Sequence, residues 1–180
     1  MRVYDAGGGK SIKVFDNLFD YKYRTDVYKF AENSLFRIGW ADGPVHENLK
    51  HRFLHSEYSN QDLQRLGFLG ALKNTPVWAE VANLRLVKTI LNLSVPSDCN
   101  FYHCHPEQKI VLYYVNLEWA DGYHGETLFY DDTLKNILLA TPYTPGRVTV
   151  FDGAIPHAIR PQSYLSPYFR YTLALVYDKC

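Results

Sequence analysis

Residues 100–116 read "NFYHCHPEQKIVLYYVN". From Ile110 to Val115 the run is unbroken apolar and aromatic, which is the texture of a strand buried in a sheet. Immediately before it, His103, His105 and Glu107 stand at every second position, and all three side chain types can ligate a metal. The stretch therefore raises two questions together: which sheet holds the strand, and which of the three residues hold an ion.

Reading outward, the same texture continues through the second half of the chain. "LRLVKTILNLSV" (84–95), "KIVLYYVNLEW" (109–119), "ETLFYDD" (126–132), "KNILLATPY" (135–143), "RVTVFDG" (147–153), "HAIR" (157–160) and "FRYTLALVYD" (169–178) are short β-rich runs separated by Gly, Pro, Asp or Asn signals. That rhythm predicts a sandwich or barrel. No helix-length pattern intervenes, so the strands are expected to be largely antiparallel. Two sheets closing as a double-stranded β-helix, or jelly roll, is the natural arrangement.

The first half reads differently. "GGGK" at residues 7–10 lacks the second half of a phosphate-loop pattern and reads as a turn. "DYKYRTDVYKFAENS" (20–34) spaces Tyr23, Val27 and Phe30 as a helix does. Residues 35–58 hold a "DGP" turn and read as a surface loop, with His46, His51 and His55 solvated. "SNQDLQRLGFLGALKN" (59–74) opens on a Ser59–Asp62 capping pattern and aligns Leu63, Leu66, Leu69 and Leu72 on one helix face. In "TPVWAEVAN" (75–83), Thr75 is a candidate cap and Pro76 takes the first helical position. The expectation is one domain over 1–180, mainly β, with helical support and loops over about 1–83 and a jelly-roll catalytic core over about 84–178.

The balance of 19 basic against 19 acidic residues, with a net charge of zero, offers no electrostatic reason to bind nucleic acid or an anionic membrane. With 15 Tyr, 10 Phe and 47% hydrophobic residues the composition is that of a packed, β-rich protein. Cys99, Cys104 and Cys180 are odd in number and show no CxxC spacing, so neither a disulfide framework nor a zinc knuckle is expected. A cytoplasmic setting is the simplest one, since no signal-peptide core or membrane-length apolar run is seen.

Two further residues complete the chemistry. His157 opens the short strand in "GRVTVFDGAIPHAIRP", and Arg170 opens an otherwise apolar strand, where a charge is costly without a buried anionic partner. Its guanidinium could grip a carboxylate through two parallel hydrogen bonds. A His-x-carboxylate pair, a distant His and this Arg are the parts of a facial iron site, in which two imidazoles and a carboxylate leave positions open for a chelating cosubstrate and oxygen.

"HPE", "YYVNLEW", "GETLFYDD", "PGRVTVFDGAIPH" and "RYTLALVY", in that order, resemble the iron(II)- and 2-oxoglutarate-dependent dioxygenases, in particular their prolyl 4-hydroxylase-like branch. The resemblance covers roughly residues 84–178. It implies Fe(II), 2-oxoglutarate and O2, with ascorbate as a supporting reductant, and hydroxylation of a C–H bond coupled to decarboxylation of 2-oxoglutarate to succinate and CO2. The substrate it implies is a peptide, protein or small molecule, with a prolyl residue one candidate; no membrane or nucleic-acid partner is implied.

Carried over by position, the distal metal ligand matches His157 and the cosubstrate-binding arginine matches Arg170. Thr172 shares the strand face of Arg170. Tyr114, or Tyr113 in a slipped register, matches the tyrosine that reaches the cosubstrate carboxylate, and Asn92 is a candidate for its other end. Gly125–Thr127 matches a turn rather than a ligand motif, and His124-Gly125-Glu126, which also spells His-x-Glu, falls in that turn. The family's first metal motif is His-x-Asp, from which this sequence departs. Two registers fit: His105, Glu107 and His157, the preferred set, or His103 as first ligand, giving an all-histidine site. Two rival readings stand beside this one: a cupin-like enzyme using His103, His105 and His157 without 2-oxoglutarate, and a non-catalytic jelly-roll binding module.

Overall fold

Gly7, Gly8 and Gly9 all adopt positive φ, a region that glycine enters without steric cost. "GGGK" therefore reverses the chain between two strands, β1 (Arg2–Asp5) and β2 (Ser11–Phe15), which pair antiparallel. The computed structural model describes residues 1–39, 54–96, 98 and 101–179. His46, His51, Cys99 and Cys180 lie outside the described residues.

Helix α1 (Tyr21–Glu32) starts where the spacing predicts, with the Asp20 side chain accepting from the Tyr23 N–H. Two short strands follow, β3 (Arg37–Ile38) and β4 (Leu54–Glu57). His55 in β4 is buried rather than solvated. The leucine-spaced segment forms two helices, α2 (Asn60–Arg65) and α3 (Phe68–Lys73), because Gly67 between them takes a left-handed φ of 72°. The Ser59–Asp62 capping box is present in both directions. A 3-10 turn over Pro76–Glu80 follows, but Thr75 does not cap it. Its hydroxyl donates back to Leu72 O instead, at 2.7 Å, the local backbone competition to which Ser and Thr are prone.

The seven β-rich runs each become a strand: β5 (Arg85–Ser94), β6 (Gln108–Tyr114), β7 (Thr127–Tyr130), β8 (Ile137–Thr141), β9 (Val148–Asp152), β10 (His157–Ile159) and β11 (Arg170–Asp178). An eight-stranded sheet has the order β1-β2-β9-β6-β11-β5-β4-β3, and a three-stranded sheet has the order β10-β7-β8. All pairings are antiparallel. The first 83 residues thus contribute β1–β4 as well as helices, extending both edges of the large sheet. At the edge of the small sheet, an isolated bridge between His103 and His157 continues the pairing beyond β10.

Period-two alternation sorts the large sheet into two faces. Leu91, Val111, Tyr113, Val148, Val150, Leu173 and Leu175 pack with Val27, Leu63, Phe68 and Leu72 of the helices. Ile110, Leu112, Tyr114, Phe151, Ala174 and Val176 form a second core with Phe129 of the small sheet. The chain is thus a two-sheet jelly roll with helices on the outer face. Among the described residues no helix is long and apolar enough to cross a membrane.

Leu173 sits on the helix-facing side of β11 and is 0% exposed, so Leu173→Ala leaves a cavity among the helices and not in the space between the sheets. The expected cost is about 2–5 kcal/mol, read as a lower urea midpoint with an unchanged m-value.

Candidate metal centre

Between β5 and β6 the chain crosses to the small sheet, where backbone bonds fix the histidines. His103 N donates to His157 O at 3.0 Å and His157 N returns the bond to His103 O at 2.9 Å. His105 N donates to Gly153 O at 2.6 Å. A Cβ on residue 153 would lie 2.4 Å from His105 O, so only glycine lets the two segments approach this closely.

These bonds bring one ligand-capable atom from each of His103, His105 and His157 within 4.8 Å of one another. Ring centroids are 5.0 Å apart for 103–105, 4.4 Å for 103–157 and 5.5 Å for 105–157. His157 Nδ1 lies 2.8 Å from Ile155 O, and His103 Nδ1 lies 3.3 Å from Phe101 O. A carbonyl can only accept, so each Nδ1 carries the proton and each Nε2 keeps its lone pair for a ligand bond. Burial, followed by the neighbouring His103, pushes the His157 pKa well below its ordinary value. His157 is therefore neutral, the form that binds metal.

Glu107 stands apart from this cluster. Gln108 N donates to His105 O at 3.2 Å, closing a turn with Pro106 second and Glu107 third. Glu107 has φ 63°, as the third position of a type II turn requires. The turn breaks the every-second-position alternation, so the Glu107 side chain is exposed. Among the described residues the ligand-capable atoms that converge are those of His103, His105 and His157, and Glu107 is not among them.

At the start of β11, Arg170 is 0% exposed. Its Nε donates to Gly125 O at 2.9 Å, while Nη1 and Nη2 have no hydrogen-bond partner among the described residues. Gly125 has φ 82°, and a Cβ there would lie 3.1 Å from Arg170 Cδ. The "GET" turn is thus a seat for the arginine. Burial lowers the Arg170 pKa, a measure of how poorly solvated the cation is. The charge of Glu126 opposes that shift but makes no ion pair with Arg170: its Oε1 faces Arg160 Nη1 at 3.3 Å, and its buried Oε2 has no hydrogen-bond partner among the described residues.

Asn92, Thr172 and Tyr114 form one lateral row, with Thr172 opposite Asn92 on β5 and opposite Tyr114 on β6. All three sit on the face turned toward the small sheet. Thr172 Oγ1 is buried without a partner, and Tyr114 Oη lies 2.7 Å from Thr127 Oγ1 and 3.1 Å from Thr141 Oγ1. Tyr113 points to the opposite face, with its ring 5.5 Å from those of Phe19 and Phe68. A cavity of about 130 Å³ is lined by His103, His105, His157, Asn92, Thr172 and Ala174 among others. Tyr114, Arg170, Glu107 and His124 are not in its lining. Arg170 instead stands one step along β11 from Thr172 on the same face.

The donor set fits a first-row divalent metal, since imidazole suits Fe, Ni, Cu and Zn alike. The unpartnered Nη atoms of Arg170 and the free Thr172 hydroxyl fit a carboxylate. Tyr143 is a residue that sequence reasoning treated only as the end of a strand. The Arg170 guanidinium carbon lies 4.8 Å from the centroid of its ring and 5.8 Å from that of Tyr114.

No family model matches the chain and no curated protein matches it at a significant level. Solved structures do. An oxidoreductase of the 2OG-Fe(II) oxygenase family from Burkholderia pseudomallei superposes with a TM-score of 0.65 at 14% identity, over 93% of this chain and 84% of that one. A Trichoplax adhaerens prolyl hydroxylase, solved with a hypoxia inducible factor peptide fragment, gives 0.62 at 15% identity, over 93% and 83%. HygX from Streptomyces hygroscopicus, solved with nickel and 2-oxoglutarate bound, gives 0.63 at 12% identity, over 93% and 82%. The chain shares the jelly-roll fold of these proteins.

Proposed function

We propose that this chain is an Fe(II)- and 2-oxoglutarate-dependent dioxygenase that hydroxylates a C–H bond, with His103, His105 and His157 as the metal ligands and Arg170 as the anchor for the distal carboxylate of 2-oxoglutarate. The observation that carries the reading is Arg170. A fully buried guanidinium with both Nη atoms unpartnered needs an anion, and the row next to it on the same strand face leads into the cavity where the imidazoles converge. The relatives in fold include one solved with nickel and 2-oxoglutarate and one solved with a peptide, which supports this cosubstrate and a prolyl residue of a peptide or protein as the substrate class. The whole described chain acts as one catalytic unit in this reading.

An iron ion held by His103, His105 and His157 would, with 2-oxoglutarate and O2, supply the oxidising chemistry that yields succinate and CO2, with ascorbate as the supporting reductant. The protein's part is positional. His103, His105 and His157 offer three nitrogen donors, Thr172 offers a hydroxyl one step along β11 from Arg170, and Ile90, Ile110, Leu112 and Val176 keep the cavity walls apolar. Such walls exclude water from the reacting centre. The three-imidazole set also favours a second reading, a cupin-like metalloenzyme without 2-oxoglutarate; Arg170 has no task in that enzyme.

Anaerobic titration with Fe(II) should give one tight site. His103→Ala should weaken it by at least tenfold, and Glu107→Ala should leave it within about twofold; the reverse pattern restores the His105–Glu107 register. Succinate release with Fe(II), ascorbate and proline-containing peptides or without substrate is the test of the activity, and its absence together with no 2-oxoglutarate binding refutes the reading. Arg170→Met removes a buried charge pair with the cosubstrate, an interaction of about 2–5 kcal/mol. The KM for 2-oxoglutarate should rise by roughly thirtyfold or more while metal affinity is retained. An unchanged KM removes Arg170 as the anchor, and turnover that needs no 2-oxoglutarate favours the cupin-like alternative.

A further inference from the structure

We infer that Tyr143 is a positioning residue for the distal carboxylate of the cosubstrate: its ring, fixed by Asn116, holds the Arg170 guanidinium so that the Nη edge is left for the anion. This rests on the cosubstrate reading above. Among the described residues the Arg170 side chain makes one hydrogen bond, from Nε to Gly125 O, so hydrogen bonding alone does not fix the guanidinium. What surrounds the guanidinium is aromatic. Its carbon lies 4.8 Å from the Tyr143 centroid, and Tyr143 stacks on Tyr114 at 4.8 Å with an interplanar angle of 13°. Trp119 packs on Tyr143 at 4.5 Å. A desolvated cation against an aromatic ring is held by the ring quadrupole, and the contact consumes none of the N–H donors.

Tyr143 is itself over-determined. Its hydroxyl lies 2.6 Å from Asn116 Oδ1 and 2.5 Å from Tyr171 O, and it accepts from Asn116 N at 3.2 Å. Asn116 also fastens the strand on both sides of Arg170. Its Nδ2 donates to Phe169 O at 2.8 Å, and its Oδ1 accepts from Tyr171 N at 2.9 Å. One buried asparagine, 1% exposed, therefore fixes the arginine's backbone and the ring beside its side chain together. This gives the Asn of "YYVN" and the Tyr of "TPY" a shared purpose that neither has as a core residue alone.

The test compares two ligands on the Fe(II)-loaded protein by anaerobic calorimetry: 2-oxoglutarate, and 2-oxopentanoate, which keeps the keto acid but lacks the distal carboxylate. Wild type should prefer 2-oxoglutarate strongly. Tyr143→Leu should lose roughly tenfold or more of that preference, with 2-oxopentanoate affinity within about threefold of wild type. Tyr143→Phe, which keeps the ring, should retain most of the preference. If Tyr143→Leu does not fold, Tyr143→Met is judged by the same criterion. Full preference in the Leu or Met variant, or equal weakening of both ligands, overturns the positioning role. A wild type that does not discriminate the two ligands overturns the cosubstrate reading first, and this inference with it.

Discussion

The guanidinium of Arg170 is the constraint around which the rest of the molecule can be understood. Taking an arginine wholly out of water without a counter-charge costs several kcal/mol, and the chain spends several of its less common features on making that burial tolerable. Gly125 takes a positive φ and presents its carbonyl to Nε. Tyr143 and Tyr114 supply ring faces, and Asn116 ties down the strand at Phe169 and Tyr171. None of these groups satisfies Nη1 or Nη2. In the proposed reading these two terminal nitrogens receive the distal carboxylate of the cosubstrate.

The other end of the arrangement is set by glycine as well. Gly153 permits His105 to approach the turn after β9, and the His103–His157 bridge extends the small sheet by a single residue pair. Sheet pairing, not side-chain packing, thus brings the imidazoles together. Backbone carbonyls then fix the tautomers of His103 and His157. In the proposed three-histidine set, neutral donors would leave the full charge of a divalent ion uncompensated, whereas a carboxylate would remove one unit. An anionic chelate therefore gains more from this centre than from one with an acidic ligand, in keeping with the cation at Arg170.

Much of this was legible in the sequence, for reasons that differ by element. All seven runs from Leu84 onward became strands because turn residues bounded them and their buried faces demanded apolar runs. His157 and Arg170 could be singled out because a polar group amid apolar strands needs a purpose. β3 and β4 were hidden, since a two-residue edge strand and its four-residue neighbour carry too little pattern, and β1 and β2 were masked by a glycine turn read without its flanks. The turn at Pro106 and Glu107, which separates Glu107 from the clustered imidazoles, was not read from the every-second-position spacing. Tyr143 could not be found at all, because its role depends on a contact between distant strands.

A crystal structure of the protein grown anaerobically with Fe(II) and 2-oxoglutarate tests the central claim most directly. Iron is expected on nitrogens of His103, His105 and His157, and the distal carboxylate bonded to both Nη atoms of Arg170. Iron bound through the Glu107 carboxylate, or a cosubstrate whose distal carboxylate lies away from Arg170, would contradict it.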